Sequence, residues 1–514
     1  MFYFSFPLVY YRNAHNFPAH NFISPEYLHM KLIVCATHPG QCNGYSLCAY
    51  NLVKEVAERN PRDEIWWYGF QNVFGESSRN VRPLPSNVDV HDAMKLEVPL
   101  KQGFGEDMFA EYVAAKSPDV VLLYNDSVVV ERFLSKLDDD RDRPYKIVVY
   151  QDLVYEHMKA RFVKQLNEKV DRVLAFTPYW KEHMESQGVT TPVAVLRHGF
   201  DPTSKFPVPT ELARRVFGIS PGDFVILNLN RNQPRKRWDI CIKAFAEFLS
   251  RHRGEPVRLL VGTAHQGAWD LFAIFERELG KRGMTLEEGR KHITVNNAPQ
   301  QMSDADVNIL MNCADIGISA ADGEGFGLCN FEHAGIGRPQ VVSHVGGAKD
   351  VFDDTNAVVC EPVMAYYVDS SRDGVGGEAQ LIDYADMVHG MELYYSDPVL
   401  RKKHGEAARQ KILGGAYRWS ALADTLRAEC LAAAGHDDCC VSIEDTVPDV
   451  PDVPDVPSDP ISDEVKSIKE QIAALVSRLE GVQAQLHKGA SQELEGDPVR
   501  PSTPVRVDES QVPS

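Results

Sequence analysis

Short runs rich in Val, Ile and Leu recur along the chain, and polar segments of helix length separate them. Continuous apolar runs that alternate with helices are typical of parallel strands covered by helices on both faces. They form two series, first Leu32–Ala36, Ile65–Tyr68, Val120–Tyr124, Ile147–Tyr150, Val173–Phe176 and Val193–Leu196, then Val225–Leu229, Arg258–Val261, Ile293–Val295, Ile316–Ile318, Val341–Ser343 and Ala357–Val359. Ligands of such sheets bind beyond the carboxyl ends of the strands. We therefore predict an α/β protein with two facing, doubly wound Rossmann-like domains and a ligand cleft between them.

Prolines cluster between Asp201 and Pro209 and mark the predicted seam between these domains. We assign residues 30–202 to the N-terminal domain and residues 203–435 to the C-terminal domain. Residues 1–29 are aromatic and apolar near their start, but they lack a basic segment and a small-residue cleavage site. We therefore expect a loose N-terminal extension there and no secretory signal.

The C-terminal part of the sequence has a different character. Residues 436–460 contain a Val-Pro-Asp repeat, which predicts an extended, charged linker. Residues 461–488 show apolar positions at alternating spacings of four and three, which is the coiled-coil heptad; these are Ile461, Val465, Ile468, Ile472, Leu475, Leu479, Val482 and Leu486. We predict homo-oligomerisation through residues 461–486, the alternative being a single helix packed on the globular body. Residues 489–514 are predicted to be disordered.

Composition excludes several classes of function for this chain. With 44% hydrophobic and 25% charged residues, the chain is typical of soluble globular proteins. Its net charge of -19 argues against nucleic acid or an anionic membrane as the main partner. No run of 18 apolar residues occurs, so no spanning helix is expected. The ten cysteines contain no paired CxxC pattern, so we expect reduced thiols in a cytoplasmic protein and no zinc site.

Two carboxylates, Glu324 and Glu332, stand with seven residues between them around a Gly-Phe-Gly turn. An apolar run precedes them and a short helix is predicted after the turn. A glycine-rich turn into a helix N-terminus can bind an anion, because free backbone N–H groups and the helix dipole point at it. This pattern predicts a sugar-nucleotide site in which amides bind the diphosphate and carboxylates bind hydroxyls. The alternative is a pair of ordinary solvated charges.

A basic segment from Asn230 to Arg237 directly follows the predicted strand Val225–Leu229 and opens a helix. Arg offers a planar fork to phosphate oxygens and Lys a point charge, so the segment is suited to clamp a diphosphate. The alternative is an exposed basic loop.

Between the first strand and its helix, Gly40 and Gly44 permit close backbone approach to a ligand. That loop has neither the GxGxxG nor the P-loop pattern, and a plain strand–helix turn is the alternative.

In several motifs the chain resembles the retaining glycosyltransferases of group 1 (family 4), which have the GT-B fold. The motifs are Asn230-Arg231 with Lys236, the Glu324 and Glu332 pair with its Gly-Phe-Gly-Leu turn, Gly346-Gly347 after Val341-Val342, the segment Leu196–Asp201, and Gly44 in the N-terminal glycine loop. The resemblance runs from about Met30 to Ala432. It implies that the N-terminal domain binds an acceptor and the C-terminal domain a nucleotide sugar.

The resemblance also implies a role for each motif residue. Arg231 and Lys236 would bind the donor diphosphate and steady the leaving group, and Glu324 would contact the donor sugar; these three are the implied catalytic residues. The donor site would further include Gly44, the turn of Gly325, Phe326, Gly327 and Leu328, and Glu332, which would hold the ribose. No cofactor and no metal is implied, since cations and amides can stabilise the leaving group. The donor would be a UDP- or GDP-sugar, and the acceptor a glycan or a lipid- or protein-linked sugar. Retention would follow a front-face route in which the leaving phosphate helps to deprotonate the acceptor.

One position departs from the family pattern. Members often carry a His-Asp pair near the donor sugar, where this chain reads Tyr150-Gln151-Asp152-Leu153. Gln151 can form a hydrogen bond to a hydroxyl but cannot take a proton, so Gln151 and Asp152 are candidate sugar contacts only.

Two other functions stay open, a sugar-nucleotide epimerase with the same twin-domain body and an oligomeric scaffold with a vestigial transferase body. The combination of Arg231, Lys236 and both glutamates favours sugar transfer.

Overall fold

The computed structural model describes residues 29–436, except residues 74, 76, 77, 79, 81, 297–301 and 373. The first sheet has seven parallel strands in the order β3-β2-β1-β4-β5-β6-β7. They are β1 (Lys31–Thr37), β2 (Glu64–Phe70), β3 (Val88–Asp92), β4 (Val120–Asp126), β5 (Lys146–Asp152), β6 (Arg172–Ala175) and β7 (Val193–Val195). The strand order reverses beside β1, which is the point where such sheets bind ligands.

The second sheet has six parallel strands in the order β10-β9-β8-β11-β12-β13. They are β8 (Phe224–Asn228), β9 (Val257–Val261), β10 (Ile293–Val295), β11 (Ile316–Ser319), β12 (Gln340–Ser343) and β13 (Val358–Cys360). Here the order reverses between the adjacent strands β8 and β11. The carboxyl ends of these two strands therefore present their loops side by side.

Helices follow most strands and cover the two sheets. They are α1 (Gly44–Arg59), α2 (Phe109–Lys116), α3 (Ser127–Leu134), α4 (Ala160–Lys169), α5 (Pro178–Ser186), α6 (Thr210–Val216), α7 (Trp238–Arg251), α8 (Leu271–Gly280), α9 (Leu286–Arg290), α10 (Asp304–Asn312), α11 (Leu328–Gly335), α12 (Ala348–Val351), α13 (Tyr384–Ser396), α14 (Pro398–Ile412) and α15 (Trp419–Ala433). The predicted inward face of α7 is confirmed, because Trp238, Phe245 and Leu249 are fully buried. No helix among the described residues is both long and apolar enough to cross a bilayer.

All twelve predicted apolar runs coincide with strands, and the parallel, doubly wound α/β class is confirmed. Strand β3 was not predicted because Val88 and Val90 alternate with polar residues on a half-buried edge. An antiparallel hairpin of β14 (Pro362–Val368) and β15 (Gly377–Ile382) was also not predicted. Strand β14 is an apolar run that sequence reasoning missed, although side chains such as Tyr367 are exposed on it, and β15 mixes polar and apolar residues.

Helix α15, within the predicted C-terminal domain, packs on α1 of the first sheet. Arg427 forms a buried ion pair with Asp63 at 2.8 Å, and Arg59 pairs with Asp424 at the surface. The division at residues 202 and 203 stays a prediction. The predicted extension, linker, coiled coil and tail lie outside the described residues, apart from His29 and His436.

Candidate functional site

The loop after β11 carries Glu324 and leads into α11 at Leu328. Gly327 caps this helix in the left-handed region, with φ of 87°, where glycine is favoured. The loop is packed too tightly for side chains at two glycines. An ideal Cβ on Gly325 would lie 2.0 Å from Asp152 Oδ1, and one on Gly347 would lie 2.0 Å from the Gly325 carbonyl oxygen. The Gly347 amide also donates to the Glu324 carbonyl at 2.9 Å, so this loop is held in one conformation.

Glu324 is ion-paired with the cations of the neighbouring loop after β8. Lys236 Nζ contacts Glu324 Oε2, and Arg235 approaches the same oxygen at 3.5 Å. Arg235 also donates to the Gly323 carbonyl at 3.0 Å. Burial alone would raise the pKa of Glu324, but Lys236 and Arg235 outweigh it and hold this pKa below its usual range. Glu324 is therefore a carboxylate at neutral pH.

The four cations of the basic segment have separate environments. Arg231 is exposed, and its guanidinium forms no ion pair with any described residue. Lys236 and Arg235 are largely buried, with side chains 8% and 14% exposed. Arg237 points elsewhere, because its guanidinium donates to both carboxylate oxygens of Asp239 at 2.9 and 2.7 Å. Two of the four cations, Lys236 and Arg235, therefore contact the Glu324 loop.

Gly44 and the N-terminus of α11 face each other across the two sheets. Asn43 caps α1 by accepting the Ser46 amide at 2.9 Å, which fixes the glycine loop. An ideal Cβ on Gly44 would lie 3.1 Å from Leu328 Cδ2, so glycine permits this close approach. The structure thus brings together Gly44, predicted in the N-terminal domain, and the Gly-Phe-Gly turn, predicted in the C-terminal domain.

Phe326 is a core residue, 3% exposed, whose ring packs on His198 and Phe331 at centroid distances of 4.7 and 5.0 Å. Its backbone amide is therefore the only part suited to a ligand. His198, from the segment Leu196–Asp201, is itself buried and contacts the Tyr150 hydroxyl at 2.7 Å. Burial lowers the pKa of His198 to about 3, so this histidine is neutral.

Gln151 and Asp152, at the end of β5, differ in their surroundings. Gln151 is 2% exposed, and its amide donates to Ser127 Oγ at 3.1 Å and to the Asp152 carbonyl at 2.9 Å. Its role as a sugar contact stays a prediction. Asp152 instead contacts the Glu324 loop at Gly325 and accepts a hydrogen bond from the Tyr45 hydroxyl. Tyr45 was missed in the sequence, where its position after Gly44 was the only signal.

Glu332 lies half-buried on α11, and no described residue donates a hydrogen bond to its carboxylate. Burial raises its pKa, while the charges of Lys205 and Arg82 oppose that rise. Lys205 is 2% exposed. Arg82 bonds to Asp304 at 3.1 Å and to the Pro39 and Gln41 carbonyls, so it ties the glycine loop to α10. Sequence reasoning missed Arg82 and Lys205, for which no motif gave a signal.

A family model described as family 4 glycosyltransferase in conflict systems matches residues 151–426, more than half of the chain. The chain belongs to this family. Among curated relatives, the D-inositol 3-phosphate glycosyltransferase of Rhodococcus erythropolis is 29% identical over 161 residues, covering 30% of this chain and 34% of that protein. The enzyme of the same name from Nocardia farcinica is 28% identical over 195 residues, covering 37% and 41%. The chain thus spans well under half the length of these two relatives.

Three solved structures match the fold of this family 4 member. Sucrose-phosphate synthase from Thermosynechococcus elongatus gives a TM-score of 0.58 at 14% identity, over 79% of this chain and all of that one. Anabaena HepE in complex with UDP and glucose gives 0.55 at 16% identity, over 79% and 100%. WaaG, a glycosyltransferase of lipopolysaccharide biosynthesis, gives 0.51 at 17%, with the same coverage. At these identities the likeness concerns the fold, which is GT-B with two Rossmann-like sheets.

Proposed function

We propose that this protein is a retaining glycosyltransferase that moves a sugar from a nucleoside diphosphate sugar to a hydroxyl acceptor without a metal. One observation carries the proposal. Two cations from the loop after β8, Lys236 and Arg235, contact the Glu324 loop after β11, at the N-terminus of α11 and opposite Gly44. This arrangement combines a positively charged diphosphate site with a carboxylate that accepts hydrogen bonds from hydroxyls.

Charge balance supports a diphosphate at this place. Lys236 and Arg235 neutralise Glu324, while Arg231 forms no ion pair with any described residue. A diphosphate bound beside Arg231 would form an ion pair with its guanidinium. It would also interact with the positive charges of Lys236 and Arg235. Charge-assisted hydrogen bonds of this kind are shorter and about twice as strong as neutral ones. We assign the diphosphate to Arg231 and Lys236, and the ribose to Glu332.

Glu324 is suited to position the sugar and unsuited to act as a general acid. Its pKa is held below the usual range by its cationic neighbours, so it has no proton to donate at neutral pH. Its ion pair with Lys236 also neutralises the carboxylate and so lowers its reactivity as a nucleophile. A front-face displacement, in which the acceptor enters on the side of the departing diphosphate, requires no enzyme nucleophile and retains configuration. The cations and the amides of Gly327 and Leu328 would stabilise the leaving group, a role that a metal has in other enzymes.

UDP-glucose is the first donor to test, because the related fold of Anabaena HepE holds it. The proposal predicts that calorimetry will detect UDP binding to the wild-type protein and that UDP-glucose will release UDP in the presence of EDTA. Lys236→Met should weaken UDP binding by about tenfold to a hundredfold, since one charge-assisted bond contributes about 1.5–3 kcal/mol. Lys402→Met is the matched control, because Lys402 is 77% exposed on α14. Equal UDP affinity in Lys236→Met and Lys402→Met would refute the diphosphate assignment.

A further inference from the structure

The β14–β15 hairpin follows the second sheet in the chain, yet it pairs with a loop of the first sheet. Glu378 of β15 and Glu156, in the connection between β5 and α4, exchange two backbone hydrogen bonds of 2.8 and 3.1 Å. The Gln380 side chain also donates to the Glu156 carboxylate at 2.8 Å. Four buried apolar residues of this connection and the hairpin pack in one small cluster, namely Val154, Tyr155, Val368 and Ala379. The hairpin is therefore fixed to the loop after β5.

The same hairpin holds the loop that carries Glu324. The Gln380 amide donates to the Asp322 carbonyl at 2.8 Å. Arg372, between β14 and β15, donates to Asp322 Oδ2 at 2.7 Å, and the Tyr366 hydroxyl of β14 donates to the same oxygen. The Asp322 side chain is fully buried. A buried carboxylate needs donors of this kind to compensate its charge, so these contacts fix Asp322 on the hairpin.

Asp322 is joined in turn to the cations of the proposed donor site. Its backbone amide donates to the Arg235 carbonyl at 2.9 Å, and the Arg235 guanidinium donates to the Gly323 carbonyl at 3.0 Å. Gly323 also lies against the loop after β5, where an ideal Cβ would stand 2.3 Å from the Val154 carbonyl oxygen. Since Glu324 follows directly, a displacement of Asp322 would move Glu324 relative to the first sheet.

We propose that the hairpin aligns the donor loop of the second sheet with the first sheet, and that Arg372 and Tyr366 are positioning residues that act through Asp322. This inference rests on the proposed function, with the donor on the second sheet and the acceptor on the first. Transfer needs the reacting atoms to lie about 3–3.5 Å apart, and a misplacement of about 1 Å can lower the rate by about 10²-fold. UDP binding needs the second sheet alone and does not depend on this alignment.

Arg372→Gln and Tyr366→Phe test the inference, because each removes one donor to Asp322 and leaves the buried carboxylate in place. With UDP-glucose as donor, transfer to methyl α-glucoside should fall by about tenfold to a hundredfold. Hydrolysis of UDP-glucose should fall far less, since water needs no site on the first sheet, so the ratio of transfer to hydrolysis should drop. UDP affinity measured by calorimetry should not change. Arg290→Gln, exposed on α9, is the matched control.

Hydrogen exchange supplies a second test that needs no acceptor. The amides of Glu156, Glu378 and Gln380 form the bonds that join the hairpin to the two loops. They should exchange faster in the double variant Arg372→Gln/Tyr366→Phe than in wild type. Unchanged exchange at these amides, or an equal fall of transfer and hydrolysis in the single variants, would overturn the inference. A wild type that binds no UDP and transfers no sugar would refute the proposed function instead, while the exchange rates would still report on the hairpin contact.

Discussion

Lys236 Nζ contacts Glu324 Oε2, so a cation of the loop after β8 and the first glutamate of the loop after β11 form an ion pair. The two side chains are 8% and 12% exposed, and Arg235 adds a second cation to the same oxygen. This pairing keeps the carboxylate ionised and holds both loops in place.

Glu324→Gln should lower both activity and stability. Breaking a buried ion pair leaves a buried charge without compensation, which costs about 3–5 kcal/mol. Here the remaining Lys236 would also lie beside Arg235. We expect a clear fall in the melting temperature, measured by calorimetry, and partial recovery in the double variant Glu324→Gln/Lys236→Met. A double variant no more stable than Glu324→Gln would show that the pair contributes little to stability.

Gly325→Ala should separate the end of β5 from the Glu324 loop. The added methyl group would lie 2.0 Å from Asp152 Oδ1 and 3.3 Å from the Leu153 carbonyl, neither of which leaves room for it. Overpacking of this kind costs about 1–3 kcal/mol. UDP-glucose turnover should be largely lost. Gly222→Ala is the control, since an ideal Cβ on Gly222 meets no atom within 4 Å. Wild-type turnover in Gly325→Ala would contradict the close fit described above.

Twelve strands could be predicted from the sequence because they are largely apolar runs, as in Val225–Leu229, whereas β3, β14 and β15 were missed. The candidate site residues Arg231, Lys236 and Glu324 could be selected from the sequence because they lie in recognisable motifs, and their roles stay a prediction. The contact between Lys236 and Glu324 could not, because it depends on the adjacency of β8 and β11 across 88 residues of sequence. Tyr45 and Asp152 are 107 residues apart and meet only through the packing of α1 on the sheet.

Asp152 should make stability depend on pH in a defined direction. Its pKa rises from an ordinary value of 3.8 to about 6 on folding, so the folded state binds the proton more tightly than the unfolded state. Its ionisation therefore destabilises the fold progressively as pH rises from about 4 to 6, and the full penalty remains above pH 6. Asp152→Asn removes this penalty, so the variant should be more stable than wild type at pH 8, by on the order of 2 kcal/mol. The gain should vanish near pH 4. Denaturant unfolding at the two pH values measures it, and an equal difference at both would contradict the assigned pKa.

The central claim is that the cleft transfers a sugar with retention, and proton NMR of the reaction product tests it most directly. UDP-glucose carries its glucose in the α configuration. Incubation of the protein with UDP-glucose and methyl α-glucoside in the presence of EDTA should yield UDP and a product whose new anomeric proton shows the small coupling constant of an α-glucoside. A product with the large coupling constant of a β-glucoside would contradict retention. A protein that binds UDP but forms no glycoside from any nucleotide sugar would contradict transfer itself.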